Sequence, residues 1–215
     1  MLINLIIKDF MLIKKYLLIL LAFTAIAPIY LSSQLQLSDG GLASFLLTVL
    51  LVEYILFGTI SKAEDKYKGA ALLCATPYTR KTFVKAKYLF VFVIFMFIVV
   101  IRIITAIIAP LSIEKLSVDA LGITFLTLSI IFGVLLPLQF KFGYDKTRFI
   151  SFFIIFLIPF VSPVLIREIQ SNPFSFTITL PFPQIIQAWL PCLVSLIIGF
   201  ISMIISLKIY AKKDL

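Results

Sequence analysis

Two charged residues lie inside long apolar stretches of this sequence, and their type limits what they can do there. Glu53 stands near the middle of one stretch, and Arg102 stands toward the far end of another. A charge at the centre of a membrane helix costs about 2.5–3.5 kcal/mol on insertion scales, so such a residue usually faces protein or a water-filled path. We expect Glu53 and Arg102 to line a translocation path. The alternatives are a structural ion pair, or an arginine that reaches toward the membrane surface.

The residue types needed for most catalytic or metal chemistry are missing. Histidine is absent, which removes the commonest general base and metal ligand. Cys74 and Cys192 do not have the spacing of a metal site. The ATP-binding motif G-x-x-x-x-G-K-[ST] does not occur, nor does a nucleic-acid-binding motif. We predict no catalytic residue, metal or cofactor site in this chain and no nucleic-acid partner, and an intramembrane enzyme is disfavoured.

The amino-acid composition predicts the environment of Glu53 and Arg102. The chain is 62% hydrophobic and 13% charged over 215 residues, with a mean hydropathy of +1.16. Soluble domains contain about 45–50% apolar and about 25% charged residues. The sequence is therefore predicted to be an integral membrane protein.

Six stretches are long and apolar enough to cross a bilayer as helices, which takes about 20 residues each. The predicted spans cover residues 16–36, 42–61, 83–110, 119–140, 149–167 and 187–209. The fifth is the weakest, because Pro159 and Pro163 each remove a helical hydrogen bond. The predicted fold is an all-α membrane protein forming a single transmembrane domain, 1–215. Residues 168–186 would form an extracellular cap or re-enter the membrane.

The basic residues predict the orientation of these spans. Of the 19 lysines and arginines, all but Arg102, Lys115 and Arg167 flank spans on the same side as the two termini. Cytoplasmic flanks carry such an excess, so both termini are predicted to be cytoplasmic. Residues 1–15 have apolar positions near helical spacing and are predicted to form an interfacial helix, with a plain extension of the first span as the alternative.

The segment 62–82, between the second and third spans, is the most polar part of the chain. Glu64 and Lys68 have the spacing of a helical ion pair, and Pro77 ends the helical pattern. Between them lies a short apolar patch, 70–75. Such a patch on the cytoplasmic side calls for a partner surface, although it could also lie on lipid headgroups. We predict a cytoplasmic hairpin here, termed the hairpin below.

The run EDKYKGAALLCATPYTRKTFVKAKYL, which contains most of the hairpin, resembles the matching segment of type-2 ABC transporter permeases. It is most similar to small bacterial permeases that export phenol-soluble modulins or antimicrobial peptides. A second stretch, PLQFKFGYDKTRF after the fourth span, resembles the same subfamily. Thr76 departs from the pattern, because leucine usually precedes the proline. The resemblance implies a set of ATPase-coupling residues: Glu64, Lys66, Leu72, Leu73, Pro77, Arg80, Lys81, Lys141 and Gly143.

The resemblance also implies the partners and the activity. The hairpin would be the coupling helix that docks on a separate ABC ATPase subunit, and ATP and Mg would bind to that subunit. A second permease chain would complete the membrane part as a homodimer or heterodimer. The expected function is export of amphipathic peptides or other lipophilic compounds from the cell. The alternative is the substrate-binding membrane subunit of a vitamin-type importer, and a passive structural protein would leave the hairpin unexplained.

Overall fold

The computed structural model describes residues 2–35, 42–67, 79–108, 117–153 and 184–212, and all regular structure within them is helical. The helices are α1 (Leu2–Leu35), α2 (Leu42–Lys66), α3 (Arg80–Ile108), α4 (Val118–Phe142), α5 (144–153) and α6 (Gln184–Ala211). Every one of these except α5 is long and apolar enough to cross a membrane. The prediction of an all-helical membrane protein is confirmed for this part of the chain. Most of the predicted fifth span, the apolar patch and nearly all of the predicted cap 168–186 lie outside the described residues.

Helix α1 differs from the prediction in its continuity. It runs without a break from Leu2 to Leu35, whereas the sequence suggested a separate interfacial helix ending at residue 15. The residues around this boundary contain neither glycine nor proline, so nothing in the backbone ends the helix there. Residues 2–15 thus directly extend the first span, which is the alternative that the sequence left open.

Helix α4 has well-defined ends. The Ser117 side chain accepts a hydrogen bond of 3.1 Å from the backbone N–H of Ala120 and caps the first turn. At the other end, Gly143 has a φ of 85°, and its N–H donates to the carbonyl of Gln139 at 2.9 Å. Glycine adopts this backbone conformation without a steric penalty. The chain can therefore leave α4 abruptly and enter α5.

Helix α2 is the most enclosed helix of the bundle. In its most apolar stretch, 67% of the residues are buried, against 17% in the corresponding stretches of α1 and α6. The largest fully buried apolar side chains are Ile13, Phe45, Leu50, Leu56, Ile60, Phe90, Phe95, Ile98, Leu128 and Leu136. The outer faces of α1 and α6 expose leucine, isoleucine and phenylalanine, which is the surface that a bilayer requires.

Both ends of the chain meet at one end of the bundle, which we call the terminal end. Lys8 near the start of α1 reaches Glu64 near the end of α2, and Phe83 near the start of α3 contacts Tyr210 near the end of α6. The hairpin lies between α2 and α3, so its two roots are at the terminal end as well. This arrangement agrees with the predicted positions of the termini and hairpin on one side, while the side itself stays a prediction.

Helices α4 and α6 run parallel to each other. Ser129 of α4 bonds to Ser195 of α6, and further along both helices Phe140 contacts Tyr210. Parallel neighbours cannot be joined by a short turn, so a return of the chain along the bundle is expected between them. The predicted fifth span would supply that return.

Candidate functional site

Four charged side chains form a buried group at the terminal end, which we call the ionic cluster: Lys8, Asp9, Glu64 and Lys87. The Lys87 ammonium lies 3.0 Å from Asp9 Oδ2 and 2.8 Å from Glu64 Oε1. Lys8 lies 2.8 Å from the same Glu64 oxygen and 3.1 Å from Asp9 Oδ1. Lys87 is 2% exposed and Asp9 is 1% exposed. The cluster is thus a closed set of two cations and two anions, three of which are largely removed from water.

The cluster holds together three helices and both roots of the hairpin. Glu64 lies in the first residues of the hairpin, at the end of α2. Lys87 follows the hairpin on α3, and Lys8 and Asp9 belong to α1. A buried charge is tolerated only when partners compensate for its lost hydration. Lys87 has two carboxylate partners from two different helices. Its burial therefore depends on α1 and α2 keeping their positions beside α3.

An aromatic triad of Phe83, Phe140 and Tyr210 continues the cluster into the rest of the bundle. The Phe83 ring faces two ammonium groups, with 5.8 Å from its centroid to Lys8 and 5.3 Å to Lys87. Its centroid also lies 6.2 Å from that of Phe140 and 5.7 Å from that of Tyr210. The rings of Phe140 and Tyr210 are 5.2 Å apart. Five helices are therefore connected at the terminal end by contiguous side-chain contacts.

The predicted ATPase-coupling residues of the hairpin divide into three groups. Glu64 belongs to the ionic cluster, with its side chain 14% exposed. Lys66, Arg80 and Lys81 are exposed near the two ends of the hairpin. Thr79 caps the start of α3, since its Oγ1 accepts a hydrogen bond of 3.2 Å from the N–H of Thr82. The remaining hairpin residues of the prediction, Leu72, Leu73 and Pro77, lie outside the described residues.

Lys141 and Gly143, predicted from the second motif, lie at the turn between α4 and α5. Lys141 is exposed, and Gly143 forms the C-terminal cap of α4. The turn packs against α2, because a Cβ added to Gly58 would lie 3.7 Å from the Tyr144 hydroxyl. Partial burial raises the pKa of the Tyr144 phenol above its ordinary value, and Arg148 opposes that shift. Both predicted coupling regions are thus attached to α2.

Glu53 and Arg102 are both buried inside the bundle, as expected of charges within spans. Glu53 has no exposed surface, and neither of its carboxylate oxygens has a side-chain partner among the described residues, while the backbone of Phe95 interacts with the carboxylate. No ion pair within the described ranges joins Glu53 to Arg102. Their proposed role in a translocation path stays a prediction, but the alternative of a mutual ion pair finds no support.

Sequence reasoning missed a hydrogen-bonded contact between α4 and α6, which we call the serine seam: Ser129, Gly133, Ser195, Gly199 and Ser202. Ser129 donates to the carbonyl of Ser195, and Ser202 donates to that of Gly133, each at 2.6 Å. A Cβ on Gly199 would lie 3.5 Å from Ser129 Oγ. Small residues spaced three or four apart allow such close helix packing in membranes, and this spacing was visible in the sequence.

Tyr88 connects the serine seam to α3. Its hydroxyl lies 2.6 Å from Ser202 Oγ and 2.7 Å from Ser206 Oγ. Tyr88 directly follows Lys87 of the ionic cluster, so one turn of α3 contacts both polar regions. No group of three His, Cys, Asp or Glu residues that could hold a metal ion occurs within the described ranges.

Together these features define a polytopic α-helical membrane protein with charged residues enclosed in its bundle, as is usual for membrane transport proteins. Residues 4–211 match the family model described as ABC-2 family transporter protein, and the chain belongs to that family. It is therefore the membrane component of an ABC transporter, a multi-pass protein of the cell membrane and not a catalytic ATPase. The family implies an ABC ATPase partner. No curated protein matches the chain at a significant level.

The family match confirms that the two sequence stretches were correctly assigned to a type-2 ABC permease. It does not extend to a particular cargo, so the similarity to peptide exporters stays a prediction.

Proposed function

We propose that this chain is the permease subunit of an ATP-driven exporter. Two permease chains pair, and each docks one separate ATPase subunit through its hairpin. Closure of the ATPases on ATP and Mg moves the hairpins, and the bundle alternates between inward and outward openings. The observation that favours this proposal is the ionic cluster, which joins both roots of the hairpin to α1.

The position of the cluster suits the transmission of force. Glu64 lies three residues before Tyr67, where the described part of the chain ends after α2. Lys87 lies eight residues after Thr79, where the described part resumes before α3. The two roots are joined by a contact of 2.8 Å. A displacement of the hairpin would then move the ends of α2 and α3 together, and Asp9 would carry that movement to α1. A hairpin with separated roots would instead flex without moving the bundle.

The charge around the hairpin suits a cytoplasmic docking surface. Lys66, Arg80 and Lys81 are exposed where the chain leaves α2 and enters α3. Basic residues beside spans favour the cytoplasmic side, where an ATPase subunit operates. Their charge also attracts anionic lipid, so they would keep the hairpin roots at the membrane surface. The apolar patch 70–75 would provide the contact with the ATPase.

Glu53 and Arg102 would line the translocation path. Glu53 is enclosed by apolar helices and has no side-chain hydrogen-bond partner in the described part of the chain. A carboxyl group in this state is stabilised by any rearrangement that brings water or a polar cargo group to it. An otherwise apolar interior suits amphipathic peptides or lipophilic compounds. A vitamin-type importer subunit would need no anchored hairpin, so the ionic cluster favours the permease.

Docking through the hairpin is tested by Leu73→Asp. A charge in an apolar contact costs enough to lower ATPase co-purification by about tenfold or more. The tagged permease is isolated from membranes that also contain its ATPase, and ATP hydrolysis in the eluate is measured at equal permease content. Lys212→Asp makes an even larger charge change on an exposed residue at the terminal end and should leave co-purification unchanged. Wild-type yield with Leu73→Asp would contradict docking through the patch.

The direction of transport is tested separately in inside-out vesicles that contain the complex. Export predicts that ATP drives labelled amphipathic peptide into these vesicles. Accumulation only in right-side-out vesicles would identify an importer. A flat response to every peptide and drug in a panel would count against the proposed cargo, while leaving the docking result unaffected.

A further inference from the structure

A cavity of about 440 Å³ lies between α3, α4 and α6 on the side of the bundle, and Leu2 at the start of α1 also lines it. We call it the side cavity. Its floor is formed by buried side chains that include Leu128, Phe132 and Leu136. Its rim is formed by exposed apolar side chains that include Leu196 and Phe200. A buried floor with an exposed rim describes a groove that opens toward the surrounding bilayer. Ligand sites in proteins commonly have volumes of about 300–1,000 Å³.

The polar groups of the side cavity are already bonded within the protein, with one exception. The hydroxyls of Ser129 and Ser195 donate to backbone carbonyls, and that of Tyr88 pairs with Ser202 and Ser206. Lys85 also lines the cavity, is exposed, and forms no salt bridge with the described residues. The cavity thus presents apolar walls and one available cation.

The cation lies at one end of the cavity. Lys85 is in the second turn of α3, close to the terminal end, and Phe92 lines the wall seven residues deeper. At 1.5 Å per residue the apolar wall extends about 10 Å beyond Lys85 along α3. An occupant that matches this layout has an anionic group near the membrane surface and a hydrocarbon chain directed into the membrane.

We propose that the side cavity binds an anionic phospholipid of the leaflet on the Lys85 side, with its phosphate at Lys85 and an acyl chain against the floor. The distribution of basic residues predicts that this is the cytoplasmic leaflet, which is rich in anionic lipids. Basic pockets between membrane helices bind such headgroups. The lipid would lie across α3 and the serine seam, and thereby hold α3 against α4 and α6. The site does not depend on the direction or cargo of transport.

Lipid retention by the purified full-length chain tests the proposal. The protein in mild detergent is incubated with equal amounts of phosphatidylglycerol and phosphatidylcholine that carry the same acyl chains, and native mass spectrometry counts the retained lipids. One lysine near the surface favours an anionic lipid by about fivefold. Lys85→Gln should reduce this preference to that of a neutral site. Lys81→Gln, on the same helix and exposed but outside the cavity, should keep it.

A second pair of variants tests the cavity itself. Leu196→Trp places a larger side chain on the rim and should lower retention of both lipids several-fold. Ile197→Trp is the matched control, because Ile197 is 58% exposed against 52% for Leu196 and does not line the cavity. Thermal unfolding of all four variants checks that each one is folded.

Three outcomes would overturn the proposal. The first is equal retention of the two lipids by the wild type. The second is an equal loss in a variant and its control. The third is a change of oligomeric size in Leu196→Trp with lipid retention unaltered, which would show that a second permease chain covers the groove instead.

Discussion

The ionic cluster and the serine seam both place polar groups inside an apolar bundle, but they hold helices together in different ways. The cluster uses four charged side chains from α1, α2 and α3 at the terminal end. The seam uses short hydroxyls that donate to backbone carbonyls of the neighbouring helix. Each hydrogen bond in the seam joins two neutral groups. In the cluster, each cation contacts both carboxylates, so the loss of one charge leaves the others incompletely neutralised. The two regions should therefore respond differently to the same displacement.

This difference suggests which part of the bundle moves. Hydrogen bonds between membrane helices average about 0.6 kcal/mol, so several small contributions fix α4 to α6. Removing one partner of a buried ion pair strongly destabilises a protein, so we expect the cluster to be either fully formed or fully separated. The cluster lies at the roots of the hairpin, whereas the seam begins at the level of Tyr88 and extends away from them along α4 and α6. We expect α1, α2 and α3 to respond to the ATPase while α4 and α6 move as one body.

The largest effect is expected when the cluster loses its central cation. Lys87→Met leaves the buried Asp9 and Glu64 with only the more exposed Lys8 as a cation partner within the described residues. Breaking a buried ion pair in this way should destabilise the protein by about 3–5 kcal/mol. Thermal unfolding in detergent measures the loss. Lys81→Met, an exposed lysine on the same helix, should unfold at the wild-type temperature. Equal stability of the two variants would show that the cluster contributes nothing.

A smaller effect is expected in the serine seam. Ser202→Ala removes the donor to the Gly133 carbonyl and one partner of Tyr88, and should cost about 0.6 kcal/mol and at most about 1.7 kcal/mol. Unfolding under the same conditions gives the comparison with Lys87→Met. Ser151→Ala is the control, since Ser151 bonds within its own helix. A loss as large as that of Lys87→Met would remove the proposed contrast between the regions.

The smallest effect on stability is expected at Glu53, which belongs to neither region. Glu53→Gln keeps the shape of the side chain and breaks no side-chain hydrogen bond within the described residues, so the free energy of unfolding should change less than in Ser202→Ala. Export should nevertheless fall if Glu53 lines the path. The rate of ATP-driven peptide accumulation in inside-out vesicles measures this at equal permease content.

Thr48→Val provides the control for Glu53→Gln, because Thr48 is buried on the same helix and bonds only to its own helix at 2.7 Å. Its export rate should match the wild type. An export rate for Glu53→Gln equal to that of Thr48→Val would remove Glu53 from the path and leave the coupling proposal intact.

The sequence was sufficient for the features that depend on composition along the chain. Apolar length located α2, α3, α4 and α6, and two short motifs identified the family. The burial of a side chain that depends on a neighbouring helix was harder to predict from the sequence. Asp9 belongs to the stretch predicted as an interfacial helix, yet it is 1% exposed, because Lys87 from a helix 78 residues away neutralises it. No periodicity within α1 could reveal that partner. The serine seam could have been found from its small-residue spacing.

The contact between Glu64 and Lys87 also bears on how such permeases diversify. The contact fixes the distance between the two roots, whatever the sequence of the residues between them. The entropic cost of closing a loop also changes slowly with its length. Residues between the roots can therefore be replaced, lengthened or shortened while the membrane bundle keeps its packing. Under the proposed docking through the hairpin, a lineage could acquire a new ATPase by changes in that interval alone and retain its cargo specificity, so that the two properties would be inherited separately.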